Sequence, residues 1–156
     1  MYYCSRREKK KIPPNNEWPT SSPIINDGVC KTMVETQGYI CEEHEVITED
    51  GYILSLQRIP TGRSGKKTNK QPVLLQHGLT AEAVSWLFNS PNESLGFISA
   101  DNGYDVWLTN SRGTKYSRGH KSLSPNDKDY WNRSWDELST YDLPTFVQYV
   151  YNINTG

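Results

Sequence analysis

The sequence predicts an α/β fold, and three observations carry that reading. They are an Asp-Gly turn between two β-rich stretches, two further short apolar strands separated by a helix-forming segment, and a closing stretch with apolar residues at helical spacing. In the first, His44 to Thr48 is β-rich, Glu49-Asp50-Gly51 supplies the turn, and Tyr52 to Ile59 alternates well enough to return as the second strand of a hairpin. Residues 61–71 are polar and basic and form a surface loop. The spacing of Gly62 and Gly65 is wrong for a phosphate-binding loop, and no strand-to-helix context surrounds it. Val73 to Gln76 then makes a buried strand that runs into His77-Gly78-Leu79.

Next, Pro91-Asn92-Glu93-Ser94 starts a helix whose apolar residues are Leu95, Phe97, Ile98 and Ala100, and Gly103 suits the left-handed position that ends it. Tyr104 to Asn110 is the following strand. Residues 111–134 read as a long polar loop, held down by the rings of Tyr116, Tyr130 and Trp131. Asp142 is then expected to cap a helix with Pro144 in its first turn, followed by Leu143, Phe146, Val147, Val150 and Tyr151 on its apolar side. Hairpin, strand, helix, strand and helix in that order describe the front half of an α/β sheet with helical crossovers. Residues 1–28 stand apart. They are polar, carry Pro13, Pro14, Pro19 and Pro23, and show no sustained period, which predicts a disordered tail ahead of a folded region spanning residues 29–156. The basic run from Arg6 to Lys11 reads as a solvated part of that tail.

A chain of 156 residues has room for one domain, and its net charge of −1 gives no electrostatic reason to expect nucleic acid or an anionic membrane as partner. No apolar run is long enough for a transmembrane segment, and Met1 to Lys11 lacks the apolar centre of a signal peptide. The three cysteines, Cys4, Cys30 and Cys41, allow at most one internal bridge. If one forms, Cys30 and Cys41 are its expected partners; in a reducing compartment none is needed. Asn92-Glu93-Ser94 and Asn132-Arg133-Ser134 are glycosylation acceptors if the chain enters the secretory route.

The chemistry is concentrated at His77-Gly78-Leu79. A backbone N–H just beyond a buried strand, in a turn that a glycine permits, can point at a developing negative charge, which is the simplest oxyanion hole. Gly78 would give the turn and Leu79 the donor. The nucleophile elbow G-x-S-x-G occurs nowhere in the sequence. Of the three histidines, His44 starts a strand, His77 belongs to its turn and His120 lies in a polar loop, so none stands out as a general base. Cys30, Cys41 and His44 lack a fourth ligand and a zinc spacing, so no metal is expected and no cofactor is implied.

Several ordered motifs together carry a more specific message. Glu43-His44-Glu45-Val46-Ile47-Thr48-Glu49-Asp50-Gly51-Tyr52-Ile53-Leu54, Leu75-Gln76-His77-Gly78-Leu79, Ser94-Leu95-Gly96-Phe97-Ile98 and Gly103-Tyr104-Asp105-Val106-Trp107 resemble the acid lipase family. So do Asn110-Ser111-Arg112-Gly113, Trp135-Asp136-Glu137-Leu138 and Tyr141-Asp142-Leu143-Pro144. The family includes gastric, lysosomal and plant triacylglycerol lipases, and the plant members look closest. The resemblance runs from about Val29 to Gly156 and implies an α/β-hydrolase fold, with a Ser-His-Asp triad acting on triacylglycerols or sterol esters. It assigns Leu79 to the oxyanion hole. It also implies that the serine, aspartate and histidine would follow later than Gly156, so the expectation is an incomplete α/β-hydrolase fold, truncated before its nucleophile elbow and inactive alone. No triad residue can be assigned to this sequence.

The family's fold places the strand Val73 to Gln76 between two neighbours, so a missing one leaves an edge open to self-association. Its partner in the intact family is a hydrophobic ester or lipid. Family members are secreted, lysosomal or vacuolar, while the N-terminus as written carries no such address. Two other readings stand beside this one: half of a split hydrolase, or a non-catalytic module that binds a lipid surface or another protein.

Overall fold

A computed structural model describes residues 28–66 and 70–155 of the chain. The tail expected over residues 1–28 therefore lies, apart from Gly28, outside the described residues. The hairpin forms as β1 (Glu42–Ile47) and β2 (Tyr52–Ile59), antiparallel, with Glu42 opposite Arg58 and Ile47 opposite Ile53. Gly51 closes it at φ 99°, a conformation that costs a side-chain-bearing residue dearly. Strand β3 (Val73–Leu75) pairs in parallel with β4 (Val106–Thr109), and helix α1 (Leu95–Asp101) lies between them in sequence. Because β4 also pairs antiparallel with β2, the sheet order is β1-β2-β4-β3, and β3 ends it among the described residues.

Alternation along the strands builds a core on each face. Ile59, Leu75, Val106 and Leu108 point to one side, where Phe97 and Ala100 of α1 cover them. Leu54, Leu56 and Trp107 point to the other, beneath Phe146 and Val150 of helix α3 (Leu143–Thr155). All of β4 is buried, as befits a strand covered on both faces. The α1 side is extended by a helical segment, Cys30–Val34 followed by Glu35–Gln37, which contributes Val34 and ends at Gly38 with φ 83°. Cys30 and Cys41 are joined, their Cα atoms 5.2 Å apart.

Two sequence expectations change. The polar stretch 111–134 contains a short strand, β5 (Gly119–His120), paired with Tyr52 and Ile53, and a 3-10 turn at Asp129–Trp131. Two residues of strand carry too little alternation to be read from sequence. Tyr130 is fully buried, and Trp131, though 44% exposed, donates its indole N–H to the Pro125 carbonyl at 2.6 Å, so both rings hold this segment down. The final helix starts earlier than Asp142. A first turn, α2 (Trp135–Glu137), runs through the π-helical turn Leu138–Asp142 directly into α3. Its cap is Ser134, whose hydroxyl accepts from the Asp136 N–H while the Glu137 carboxylate accepts from the Ser134 N–H, a capping box. Among the described residues, no helix is long and apolar enough to cross a membrane.

Candidate active site

The turns that leave β3 and β4 emerge side by side, since the two strands are parallel. The His77 ring joins them. Its Nε2 accepts the Ser111 N–H at 3.1 Å, which leaves Nδ1 to donate to the Gly78 carbonyl at 2.7 Å. Gln76 adds a second tie, donating to the Ser111 hydroxyl at 2.9 Å and accepting from the Thr109 hydroxyl at 2.7 Å. With both nitrogens engaged, His77 holds a backbone and has none left for proton transfer. The Ala81 N–H donates to the Gly78 carbonyl at 3.2 Å, making Leu79 and Thr80 the central residues of a turn. Among the described residues no acceptor takes the Leu79 N–H.

Gly78 departs from expectation. Its φ lies outside the left-handed region, and a Cβ built there meets nothing within 4 Å. The turn therefore makes no use of glycine's conformational freedom; what the missing side chain provides is clearance. That clearance belongs to a cavity of about 790 Å³ at the carboxyl ends of β3 and β4, within the size range of small-molecule sites. Ligands of open α/β sheets bind at this end of the strands. His77, Gly78 and Leu79 line one wall, Ser111 to Thr114 another, and Arg133 to Trp135 with Leu138 and Leu143 a third.

Behind the cavity lies buried polar scaffolding. Asn110, at the end of β4, accepts the Ala83 N–H at 3.0 Å and donates to Gln57 at 2.9 Å. Gln57 donates to Glu43 at 2.6 Å, whose other oxygen takes the Cys30 N–H at 2.9 Å. The chain of bonds links the disulfide-closed segment to the loop beyond Leu79. Arg112 is the second anchor, its side chain only 1% exposed. It clasps Asp142 through Nε at 2.8 Å and its backbone N–H at 2.9 Å, reaches Asp50 through a terminal nitrogen at 3.0 Å, and lies 4.0 Å from the centre of the Tyr52 ring. Burial pushes the Asp50 carboxyl up, but hydrogen bonds from Arg112 and Thr48 outweigh it and hold Asp50 below the usual carboxylate range. For Asp142, more deeply buried, desolvation prevails over the Arg112 bonds and its carboxyl is pushed up.

So Asp142 is a buried ion-pair partner and not a helix cap. An Asp-Leu-Pro sequence suits a cap equally well, and no local pattern announces a contact 30 residues away. The only signal was that Arg112 and Asp142 each fall within a motif carrying the family resemblance. His120 is likewise no free loop residue. Its Nδ1 accepts the Ser122 and Leu123 N–H groups, both at 3.0 Å, and its Nε2 faces the Asp50 carbonyl at 3.1 Å. His44 lies 2.9 Å from the Tyr149 hydroxyl and 3.2 Å from Glu42, far along the sheet from the turn of Leu79. Asn92 and Asn132 are both exposed. Among the described residues no group of three or more His, Cys, Asp or Glu converges as a metal site.

A mixed sheet with flanking helices fits part of an α/β-hydrolase, and residues 30–90 match a family model described as the partial alpha/beta-hydrolase lipase region. The chain is 48% identical over 130 residues to triacylglycerol lipase 2 of Arabidopsis thaliana, covering 81% of this chain and 31% of that protein. It is 53% identical over 120 residues to human lipase member M, covering 76% and 28%. Gastric triacylglycerol lipase of Rattus norvegicus is 49% identical over 120 residues, covering 76% and 30%. The chain is similar to these α/β-hydrolase lipases, and it spans about a third of the length of the curated relatives it matches.

Proposed function

We propose that the chain supplies the oxyanion-donor side of a site that hydrolyses hydrophobic carboxylic esters, of the triacylglycerol or sterol ester class, with Leu79 N–H as the donor. The observation that carries this reading is the Gly78–Ala81 turn, which presents an unclaimed N–H at a cavity on the carboxyl end of the parallel strands. In an intact site one such donor contributes about 2.7–4 kcal/mol, but only to a tetrahedral oxyanion that a nucleophile has created. No G-x-S-x-G occurs in the 156 residues, and on this reading the chain contributes no nucleophile and by itself turns over no ester. The Cys30–Cys41 bridge and the exposed Asn92 and Asn132 acceptors support an oxidising, secretory setting.

Labelling the 156-residue chain with a fluorophosphonate serine probe, beside a short-chain ester assay, tests the inactive state. No labelling and no turnover are expected; turnover that survives repurification overturns this part of the reading. A second reading has its own support in apolar side chains left exposed around and beyond the cavity, among them Leu79, Phe88, Trp135, Val147 and Tyr151. These suit a lipid surface or a protein partner. Co-sedimentation of the monomer with liposomes favours the lipid-surface form, and failure to pellet removes its support.

A further inference from the structure

We propose that Arg133 makes the cavity beside Leu79 a binding site for a long-chain fatty acid, taking its carboxylate. The inference rests on reading this cavity as the ester site, since a fatty acid is the acid product of the cleavage proposed above. Two arginines line the cavity, and they differ in kind. Arg112 is neutralised by Asp50 and Asp142. Arg133 makes neither a side-chain hydrogen bond nor an ion pair among the described residues, and its terminal Nη1 is buried with no acceptor.

The nearby carboxylates are occupied elsewhere. Glu82 takes the Lys115 N–H at 2.6 Å, Glu137 takes the Ser134 N–H at 2.6 Å, and Asp142 belongs to Arg112. A guanidinium without an ion-pair partner in the cavity wall favours an anion that offers an acceptor to the nitrogens that keep surface, Nε and Nη2. The guanidinium is also held in place. It lies 4.9 Å from the Trp131 ring centre and 5.9 Å from that of Tyr130, and it packs so closely on Gly113 that a Cβ there would collide with it. A planar fork fixed in this way is prepared for the two oxygens of a carboxylate. The neighbouring walls, Leu79, Phe88, Leu138 and Leu143, are apolar and suit an alkyl chain. One available cation fits a single negative charge better than a doubly charged phosphate.

The test is to titrate the full chain with oleate, methyl oleate and dodecyl phosphate, each below its aggregation limit, by calorimetry and by tryptophan fluorescence. The wild-type chain is expected to bind oleate more tightly than dodecyl phosphate. Arg133→Gln is expected to weaken oleate about tenfold or more while leaving methyl oleate within about twofold, because only the carboxylate uses the charge-assisted pair. Arg133→Lys keeps the charge and loses the fork, so its oleate affinity should fall about threefold or more. Should Arg133→Gln fail to fold, Arg133→Lys decides alone. No oleate binding by the wild type, tighter binding of dodecyl phosphate, unchanged oleate affinity in a folded variant, or equal losses for oleate and methyl oleate each overturn the proposal. None of these measurements needs turnover, so a failed fatty-acid site and a failed hydrolase reading are told apart.

Discussion

Arg112 keeps its charge with a side chain 1% exposed, and it can do so only because Asp50 and Asp142 provide acceptors from opposite sides. Removing one partner leaves a buried charge short of compensation, an effect worth roughly 3–5 kcal/mol in other buried pairs. Asp142→Ala should therefore lower the free energy of unfolding by about that amount in urea melts, with the m-value unchanged. Asp50 contributes to the acid limb. Its carboxyl titrates lower in the folded chain than in the unfolded one, so its contribution is complete above the ordinary carboxylate value of about 4 and is lost as pH falls from there through the folded value. Asp142, pushed up by burial, works in the opposite sense, so the limb is best attributed by substitution. Asp50→Asn should flatten the fall in thermal midpoint below about pH 4, measured by calorimetry at a series of pH values.

Elements were legible in proportion to how much of their pattern is local. The hairpin was, because Asp50-Gly51 between β-rich runs specifies both turn and register, and Gly51 adopts the positive φ such a turn uses. Strand β4 and helix α1 were legible from an apolar run and from spacing, with Gly103 at φ 86° where a left-handed stop was expected. The start of the last helix was not, since two cap signals compete: Asp142 before Pro144, and Ser134 three residues before Glu137. The capping box at Ser134 prevails because Arg112 draws the Asp142 carboxylate away from the helix backbone. Ser134→Ala removes this cap and should cost about 1 kcal/mol in chemical denaturation, fraying the turn that lines the cavity. The cavity itself was beyond local reading. Leu79 could be singled out from one short motif, but Arg133 meets Gly113 across 20 positions of chain.

Across the whole molecule, the sheet β1-β2-β4-β3 carries helices on both faces and gathers the chemistry at one end of the parallel pair β3–β4. Strand β3 stands at the end of this sheet among the described residues. The central claim is that the Leu79 N–H stabilises an oxyanion once a nucleophile is present. Leu79→Pro tests it cleanly, because Leu79 follows Gly78 at the turn position that proline favours, so the turn survives while the N–H is lost. The measurement is kcat for ester hydrolysis by a lipase in which residues 29–155 of this chain replace the matching segment of a plant relative, with and without Leu79→Pro. The account predicts that kcat falls about 10²–10³-fold at an unchanged thermal midpoint. Equal kcat in a folded, active pair would contradict it.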